Sequence, residues 1–233
     1  MIFKQSLIPG KLIKRYKRFL ADIQLESGEI ITAHCPNSVS MRTCATEGWE
    51  VRLSFHDNPK RKYPYTWEMV NNGKCWIGIN TGLPNKLVNE SIIEEKIREI
   101  RGYTEIKHEV NYGKNSRIDL LLLNENDLCY VEVKNVTLVE EDGDYYFPDS
   151  VTKRGRKHLY ELADMVKQGH RAVMLYVIQR SDGNQFKPAR HIDSAYSKSL
   201  KEVHEQGVEI LVYRAEVKPE EIKIVEKIPF ELN

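Results

Sequence analysis

Acidic residues interrupt two short apolar segments of the chain, and their types and spacing suit a catalytic or metal-binding role. Asp119 lies in the apolar segment 116–123, and Glu132 and Lys134 lie in the segment 128–138. Charged side chains are rare in strands this apolar. The turn-like residues 124–127 separate the segments, so we predict a β-hairpin that places Asp119 opposite Glu132 and Arg117 opposite Lys134.

Facing carboxylates of a hairpin lie about 5 Å apart and repel each other unless a cation joins them. Two carboxylates, together with phosphate oxygens and water, are a common Mg²⁺ site, and Mn²⁺ is the alternative ion. Lys134 lies on the same face, where its ammonium could orient a water or stabilise developing negative charge. We therefore predict Asp119, Glu132 and Lys134 as catalytic residues, with Asp119 and Glu132 binding the metal. The alternative is two ion pairs, Asp119 with Lys134 and Glu132 with Arg117.

The other face of the predicted hairpin is apolar and is expected to be core. It comprises Ile118, Leu120, Leu122, Cys129, Val131 and Val133.

A basic cluster follows at the expected start of a helix that runs from about residue 153 to residue 168. It contains Lys153, Arg154, Arg156 and Lys157. Cations are unfavourable at a helix N-terminus, whereas a bound phosphate is favourable there. The cluster is either a phosphate-binding element or a solvated basic turn. His158 could face the carboxylates, although a surface histidine is the commoner outcome.

Two further acids, Glu94 and Glu95, could add a carboxylate to the metal site. The pattern Ser91-x-x-Glu94 is also typical of a capping box, which would place the start of a helix at Ser91. We favour the capping role for Glu94.

The N-terminal region carries basic residues that are candidates for binding a nucleic-acid backbone. These are Lys14, Arg15, Lys17, Arg18, Lys60, Arg61 and Lys62. Tyr63, Tyr65 and Trp67 follow at alternate positions. Aromatic and basic residues together suit a stacking surface for a single strand, but Trp67 and Trp76 are better interpreted as barrel core.

Two units of different fold are expected to position these residues. Residues 1–83 contain short strands, the first over residues 12–23, and predict a small OB-like β-barrel. Residues 84–233 follow the order α-β-β-β-α-β-α-β, which predicts a mixed sheet with helices on its faces, a restriction-endonuclease-like arrangement. The turn-rich segment 80–85 marks the boundary.

Composition limits the class of protein. The chain has 233 residues, 41% hydrophobic and 30% charged, with a net charge of +1. No apolar run is long enough for a transmembrane helix, so we expect a cytoplasmic protein without a membrane partner. Four scattered cysteines predict neither a disulfide framework nor a zinc site. The basic residues outnumber the acids only in the N-terminal unit, where they could attract phosphate.

Several motifs occur together in one order: H-C-P-N-S-V-S-M, G-I-N-T-G, S-R-I-D-L-L-L-L, Y-V-E-V-K-N-V-T-L and F-P-D-S-V-T-K-R-G-R-K-H-L-Y-E-L. On these motifs the chain resembles the sugar fermentation stimulation protein A (SfsA) family, from about Ile8 to Val217. The resemblance implies an OB-like domain, a PD-(D/E)-x-K nuclease domain, non-specific DNA binding and a role in sugar metabolism. It implies Asp119, Glu132 and Lys134 as the motif residues, with Ile118 where the pattern has proline.

Three functions fit the sequence. The first is a Mg²⁺-dependent nuclease that acts on nucleic acid, most simply DNA without sequence specificity. The second is a non-catalytic, DNA-binding regulatory protein linked to sugar metabolism. The third is a metal-dependent enzyme acting on a small nucleotide, against which the long basic strand and separate barrel argue. A homodimer would be the simplest arrangement for cutting both strands.

Overall fold

The computed structural model describes residues 1–125 and 127–232. The strands and helices, in chain order, are β1 Ile8–Tyr16, β2 Leu20–Leu25, β3 Ile30–His34, β4 Glu50–Phe55, β5 Tyr65–Asn71, β6 Trp76–Gly78, α1 Pro84–Ile93, β7 Glu105–Tyr112, β8 Ser116–Leu123, β9 Leu128–Val136, β10 Leu138–Val139, β11 Tyr145–Phe147, α2 Lys153–Lys167, β12 Arg171–Ile178, β13 Phe186–Pro188, α3 Ser194–Glu205, β14 Glu209–Val217 and β15 Ile222–Lys227. Within the described ranges, no helix is both long and apolar enough to cross a membrane.

The first unit is a closed five-stranded barrel, as predicted. Its strands run in the order β3-β2-β1-β4-β5, and the pairing of His34 with Thr66 joins β3 to β5. β6 adds antiparallel to β5. Leu12, Ile23 and Trp67 are buried inside the barrel, so Trp67 is core rather than a stacking surface.

The predicted strand over residues 12–23 was wrong, because a turn divides it into β1 and β2. Lys17 and Arg18 have φ values of 50° and 66°, which lie in the left-handed region and cannot continue a strand. The basic residues of this segment therefore lie partly on β1 and partly on the turn after it.

The second unit is built on a mixed six-stranded sheet, which confirms the predicted α/β class. Its order is β15-β14-β12-β9-β8-β7, and β12 is parallel to both β9 and β14. Leu87 and Val88 of α1 pack on one face. The helices α2 and α3 pack on the other face. The short strands β10, β11 and β13 form a separate three-stranded sheet.

The predicted helix start at Ser91 was wrong. Helix α1 begins at Pro84 and ends at Ile93, so Ser91 is a buried residue of its last turn and Glu94 is its C-cap. Proline favours the first turn of a helix, because its missing N–H has no partner there in any case. Glu94 therefore caps the end of a helix and does not form a capping box at its start.

The two units contact each other directly. The Met1 amino group donates to the Ile222 carbonyl over 2.7 Å, and the Gly78 amide donates to the Gln179 carbonyl over 2.9 Å. All four cysteines are free. The position of the domain boundary between residues 83 and 84 stays a prediction.

Candidate active site

The predicted hairpin brings the acidic residues to the point where two strands part. β8 and β9 pair in the expected register from Leu120 with Val131 to Leu123 with Leu128. The pairing ends at Leu120 and Val131, and beyond that point the Asp119 Oδ2 atom accepts a hydrogen bond of 2.8 Å from the Val133 amide. The predicted turn 124–127 includes Asn126, which lies outside the described residues.

The predicted apolar face of the hairpin is only partly correct. Leu120 and Leu122 pack together in one core cluster. Ile118 packs instead with Leu121 and Leu159 on the α2 side. The regular alternation of side chains fails next to Asp119, where the pairing of β8 with β9 has ended.

Glu132 lies at the centre of a buried hydrogen-bond network and is only 2% exposed. Its Oε1 atom accepts from Lys134 Nζ over 2.5 Å and from His158 Nδ1. Arg154 Nε donates to His158 Nε2 over 3.4 Å, so His158 carries its proton on Nδ1. The Oε2 atom of Glu132 is buried and has no partner among residues 1–125 and 127–232.

Asp119 is held by donors from two elements. Its Oδ1 atom accepts from Asn85 Nδ2 of α1 over 2.9 Å, while Oδ2 binds the Val133 amide. Burial and the charge of Glu132 raise the pKa of Asp119. Burial also acts to raise the pKa of Glu132, but Lys134 and His158 outweigh it and lower that pKa.

The alternative of two structural ion pairs does not match these contacts. Lys134 forms its salt bridge with Glu132 and not with Asp119. Arg117 is exposed and lines the same cavity. Neither arginine–glutamate nor aspartate–lysine pairing accounts for the two acids.

A divalent cation fits this donor set. Asp119 and Glu132 line one cavity, and the buried Oε2 atom of Glu132 has no partner in the described residues. No group of three or more His, Cys, Asp or Glu side chains in the described ranges is arranged as a metal site. Mg²⁺ is typically bound by one or two carboxylates together with waters and substrate phosphates, and Asp119 and Glu132 could supply the two carboxylates.

The cavity around these residues has a volume of about 460 Å³ and receives side chains from both units. The barrel supplies Asn37, Val39 and Thr81, and the second unit supplies the acids, Lys134, Asp149, Arg154 and His158. Asn37, Thr81, Asn85 and Asp149 were not predicted as site residues. Three of them lie in the motifs H-C-P-N-S-V-S-M, G-I-N-T-G and F-P-D-S, which carry the family resemblance but had no assigned chemistry.

A second pair of buried polar groups lies on the α2 side of the acids. Tyr112 at the end of β7 and Glu161 of α2 are 8% and 6% exposed. The Tyr112 hydroxyl and the Glu161 Oε2 atom have no partner within the described part of the chain. Burial and the charges of Glu132, Glu161 and Asp119 raise the pKa of Tyr112, so its hydroxyl stays protonated beside the acids.

The structure does not bring Glu94 or Glu95 to the cavity. Glu94 forms an exposed salt bridge of 2.5 Å with Lys96. Glu95 is exposed and lines a different surface pocket with Ile92 and Ile100. Both lie after the last residue of α1, whereas Asn85 in its first turn reaches Asp119. The predicted metal-binding role of these two glutamates has no support in this geometry.

The basic cluster of α2 lies beside the acids. Arg154 lines the cavity. Lys157 Nζ donates to the Lys114 carbonyl over 2.7 Å and to Ser116 Oγ over 3.0 Å. Lys153 is exposed and Arg156 is half-buried on the same helix.

Some basic residues of the barrel bind other groups of the barrel, and the rest are exposed to solvent. Arg15 binds backbone carbonyls, Arg61 donates to Thr66 Oγ1 over 3.1 Å, and Lys14 pairs with Asp22 over 3.5 Å. The remaining side chains are exposed: Lys17, Arg18, Lys60 and Lys62. Arg15 therefore acts in the fold, and the exposed group is better placed to contact phosphate.

Both units of the chain match models of one protein family. The family model of the sugar fermentation stimulation protein RE domain matches residues 82–221, and that of the SfsA N-terminal OB domain matches residues 13–79. A sugar fermentation stimulation protein homolog of Geotalea uraniireducens is 59% identical over 95% of this chain and 96% of its own. One from Marinomonas sp. is 53% identical over 97% of this chain and 89% of its own.

The fold also matches a solved structure, that of Pyrococcus furiosus SfsA in complex with Ca²⁺. The TM-score is 0.89 at 25% sequence identity, over 99% of this chain and 98% of the other. The likeness therefore extends across both units.

Proposed function

The chain belongs to the sugar fermentation stimulation protein family, and from the geometry of its site we propose that it is a metal-dependent nuclease that hydrolyses phosphodiester bonds in DNA. The observation that carries the proposal is Glu132, whose Oε1 atom is held by Lys134 and His158 while its buried Oε2 atom has no partner. An unpartnered carboxylate oxygen beside a second acid is costly in isolation and is suited to a cation.

Asp119 and Glu132 would hold Mg²⁺ or Mn²⁺. When bound there, the ion supplies a more acidic water and stabilises negative charge on the phosphate. The related Pyrococcus furiosus protein forms a complex with Ca²⁺, and Ca²⁺ and Mg²⁺ share a preference for oxygen ligands. This supports the assignment of a divalent cation to the fold.

The surrounding side chains have separate tasks. His158 fixes the Glu132 carboxylate and directs Oε2 away from the hydrogen-bonded side. Lys134, with its ammonium at the cavity, donates a hydrogen bond to the attacking water or to a phosphate oxygen. Asn85 orients Asp119 from the opposite side. Arg117 and Arg154 line the same cavity, where their guanidinium groups bind flanking phosphates.

A nucleic-acid polymer fits the site better as a substrate than a small nucleotide does, because exposed basic side chains extend beyond the cavity onto both units. Lys17 and Arg18 lie on the barrel, and Lys153 lies on α2. Contacts of this kind bind the backbone regardless of sequence, and binding weakens steeply with salt as counterions are released.

The test compares three proteins: wild type, Glu132→Gln, and Glu94→Gln as a matched control that alters an exposed glutamate of the same unit. Each is incubated with labelled DNA and RNA in Mg²⁺, Mn²⁺ or chelator. We expect metal-dependent cleavage by wild type and Glu94→Gln, lost in Glu132→Gln. Equal binding by all three proteins without cleavage in either metal would contradict the proposal and favour the non-catalytic DNA-binding protein.

A further inference from the structure

A loop of the barrel walls the cavity that holds the two acids. We call residues 37–41 the wall loop; Asn37, Ser38 and Val39 line the cavity beside Asp119 and Glu132. The cavity volume of about 460 Å³ lies within the roughly 300–1,000 Å³ typical of pockets for one small ligand. Glu132 itself is 2% exposed, so a phosphate reaches it only by entering this recess.

The wall loop is tied to both units. Arg15 Nη2 donates to the carbonyls of Asn37 and Val39, each over 2.8 Å. The Asn37 side chain is fully buried and donates to the Ile79 carbonyl over 3.2 Å. From the second unit, Asp149 accepts hydrogen bonds from Ser40 Oγ over 3.3 Å and from the Met41 amide over 3.4 Å. These bonds make the loop a fixed wall of the recess.

A basic and aromatic turn lies against this wall. Arg15 Nη2 also donates to the Arg18 carbonyl over 2.6 Å, which places the turn Lys17-Arg18-Phe19 beside the wall loop. Phe19 is 50% exposed, and its carbonyl accepts from the Cys35 amide over 2.8 Å. An exposed aromatic ring next to exposed cations, here Lys17 and Arg18, is suited to stacking the bases of an unpaired strand while its phosphates are neutralised.

We propose, on the basis of the nuclease function above, that the substrate of this site is an unpaired DNA strand, admitted between the wall loop and the start of α2, and that paired duplex is excluded. A duplex keeps its bases stacked inside and cannot present them to Phe19. Glu132 is only 2% exposed, so a strand must bend a phosphate into the recess to reach it, and a stiff duplex bends less readily than an unpaired strand. A single strand can place one phosphate in the recess and stack a base outside it.

The test uses one sequence in three forms: single strand, blunt duplex, and duplex with an unpaired tail. Cleavage rates are measured in Mn²⁺, and binding is measured separately in chelator by fluorescence anisotropy. We expect the single strand to be preferred by about tenfold or more in both readouts, and cleavage of the tailed duplex to be confined to its tail. A stacked base accounts for a factor of this size.

Two variants separate the outcomes. Phe19→Ala should weaken single-strand binding about tenfold, whereas Ile30→Ala should not, because this exposed side chain lies on β3 at the end of the β2–β3 pairing remote from Phe19. Equal or faster cleavage of blunt duplex would overturn the single-strand inference and leave the nuclease intact. A single-strand preference in binding that needs Phe19, without cleavage in any metal, would support the inference while the nuclease proposal fails.

Discussion

At the scale of single residues, the site depends on how the two oxygens of Glu132 are used. Lys134 and His158 occupy Oε1, and Oε2 stays unpartnered in a buried setting. Lys134 therefore both binds the Glu132 carboxylate and lines the cavity. Metal binding and chemistry should separate when Lys134 is changed.

Lys134→Met should reduce the single-turnover cleavage rate by about 10²–10³, the usual effect of removing one donor to a developing anion. The Mn²⁺ concentration giving half-maximal activity should stay the same or fall, because the ammonium no longer competes for Glu132. Rate and Mn²⁺ titration are measured on the same preparation. A variant with normal cleavage would remove Lys134 from the chemistry.

Asn85→Ala should weaken Mn²⁺ affinity about 10–100-fold, the range observed when a residue that orients a metal ligand is removed. Asn85 is a positioning residue, because its Nδ2 atom donates to Asp119 Oδ1 over 2.9 Å and so acts through that carboxylate. Calorimetric titration with Mn²⁺ measures the affinity. As a control, Asn89→Ala changes a half-buried asparagine of the same helix and should leave the affinity unchanged.

At the scale of elements, the start of α2 fixes the position of His158 and Arg154. The Thr152 side chain caps the helix by accepting from the Gly155 amide over 2.9 Å, and the Thr152 amide donates to Asp193 over 2.8 Å. Four basic residues occupy this end, although the helix dipole disfavours them there. The cap compensates in part for that unfavourable charge.

Thr152→Ala should lower the free energy of unfolding by about 1 kcal/mol, the typical value of a lost N-cap. Thr152→Ser retains the hydroxyl oxygen and should lose much less. Urea unfolding of the two variants and wild type gives the difference. Indistinguishable stabilities of the alanine and serine variants would show that the cap does not hold the helix.

The elements also show what sequence patterns could and could not predict. The hairpin that carries Asp119 and Glu132 was predictable, because strongly apolar strands and a short turn fix its register. Helix α1 was misplaced, because Ser91 and Glu94 imitate a helix start while Pro84 marks the true one. Because of that error, Asn85 was not predicted as a site residue and Glu94 was, so one side of the candidate site was missed.

At the scale of the whole molecule, the site is formed by two units that hold each other in place. Arg180 is buried and binds both oxygens of Asp182, over 2.6 and 2.7 Å. It also donates to Thr43 of the barrel over 3.0 Å, and Asp182 accepts from Asn72 of the barrel over 2.7 Å. Contacts between residues so far apart in sequence follow no local pattern, and for that reason the wall of the cavity could not be predicted.

Asp182 should make part of the stability depend on pH. Burial alone would raise its pKa, but Arg180 outweighs burial and lowers it from 3.8 to about 2. A depressed folded-state pKa contributes stability above the unfolded value, which is lost as pH falls from about 4 towards 2. The shift corresponds to roughly 2 kcal/mol.

Asp182→Asn should therefore be less stable than wild type at pH 7, and the difference should shrink as pH falls through this window. Chemical unfolding at several pH values provides the measurement. Asp57→Asn, a change at an exposed aspartate, is the control and should have the same free energy of unfolding as wild type at every pH. A constant deficit for Asp182→Asn down to pH 2 would contradict the assigned titration.

The central claim is that Asp119 and Glu132 form a cation site, and diffraction from crystals soaked in Mn²⁺ tests it most directly. The account predicts an anomalous peak roughly 2 Å from the Asp119 carboxylate and from Glu132 Oε2, the distance expected for a small divalent cation. The peak should be absent in Glu132→Gln crystals treated in the same way. No peak at the two acids in wild-type crystals, with Mn²⁺ bound elsewhere on the protein, would contradict the account.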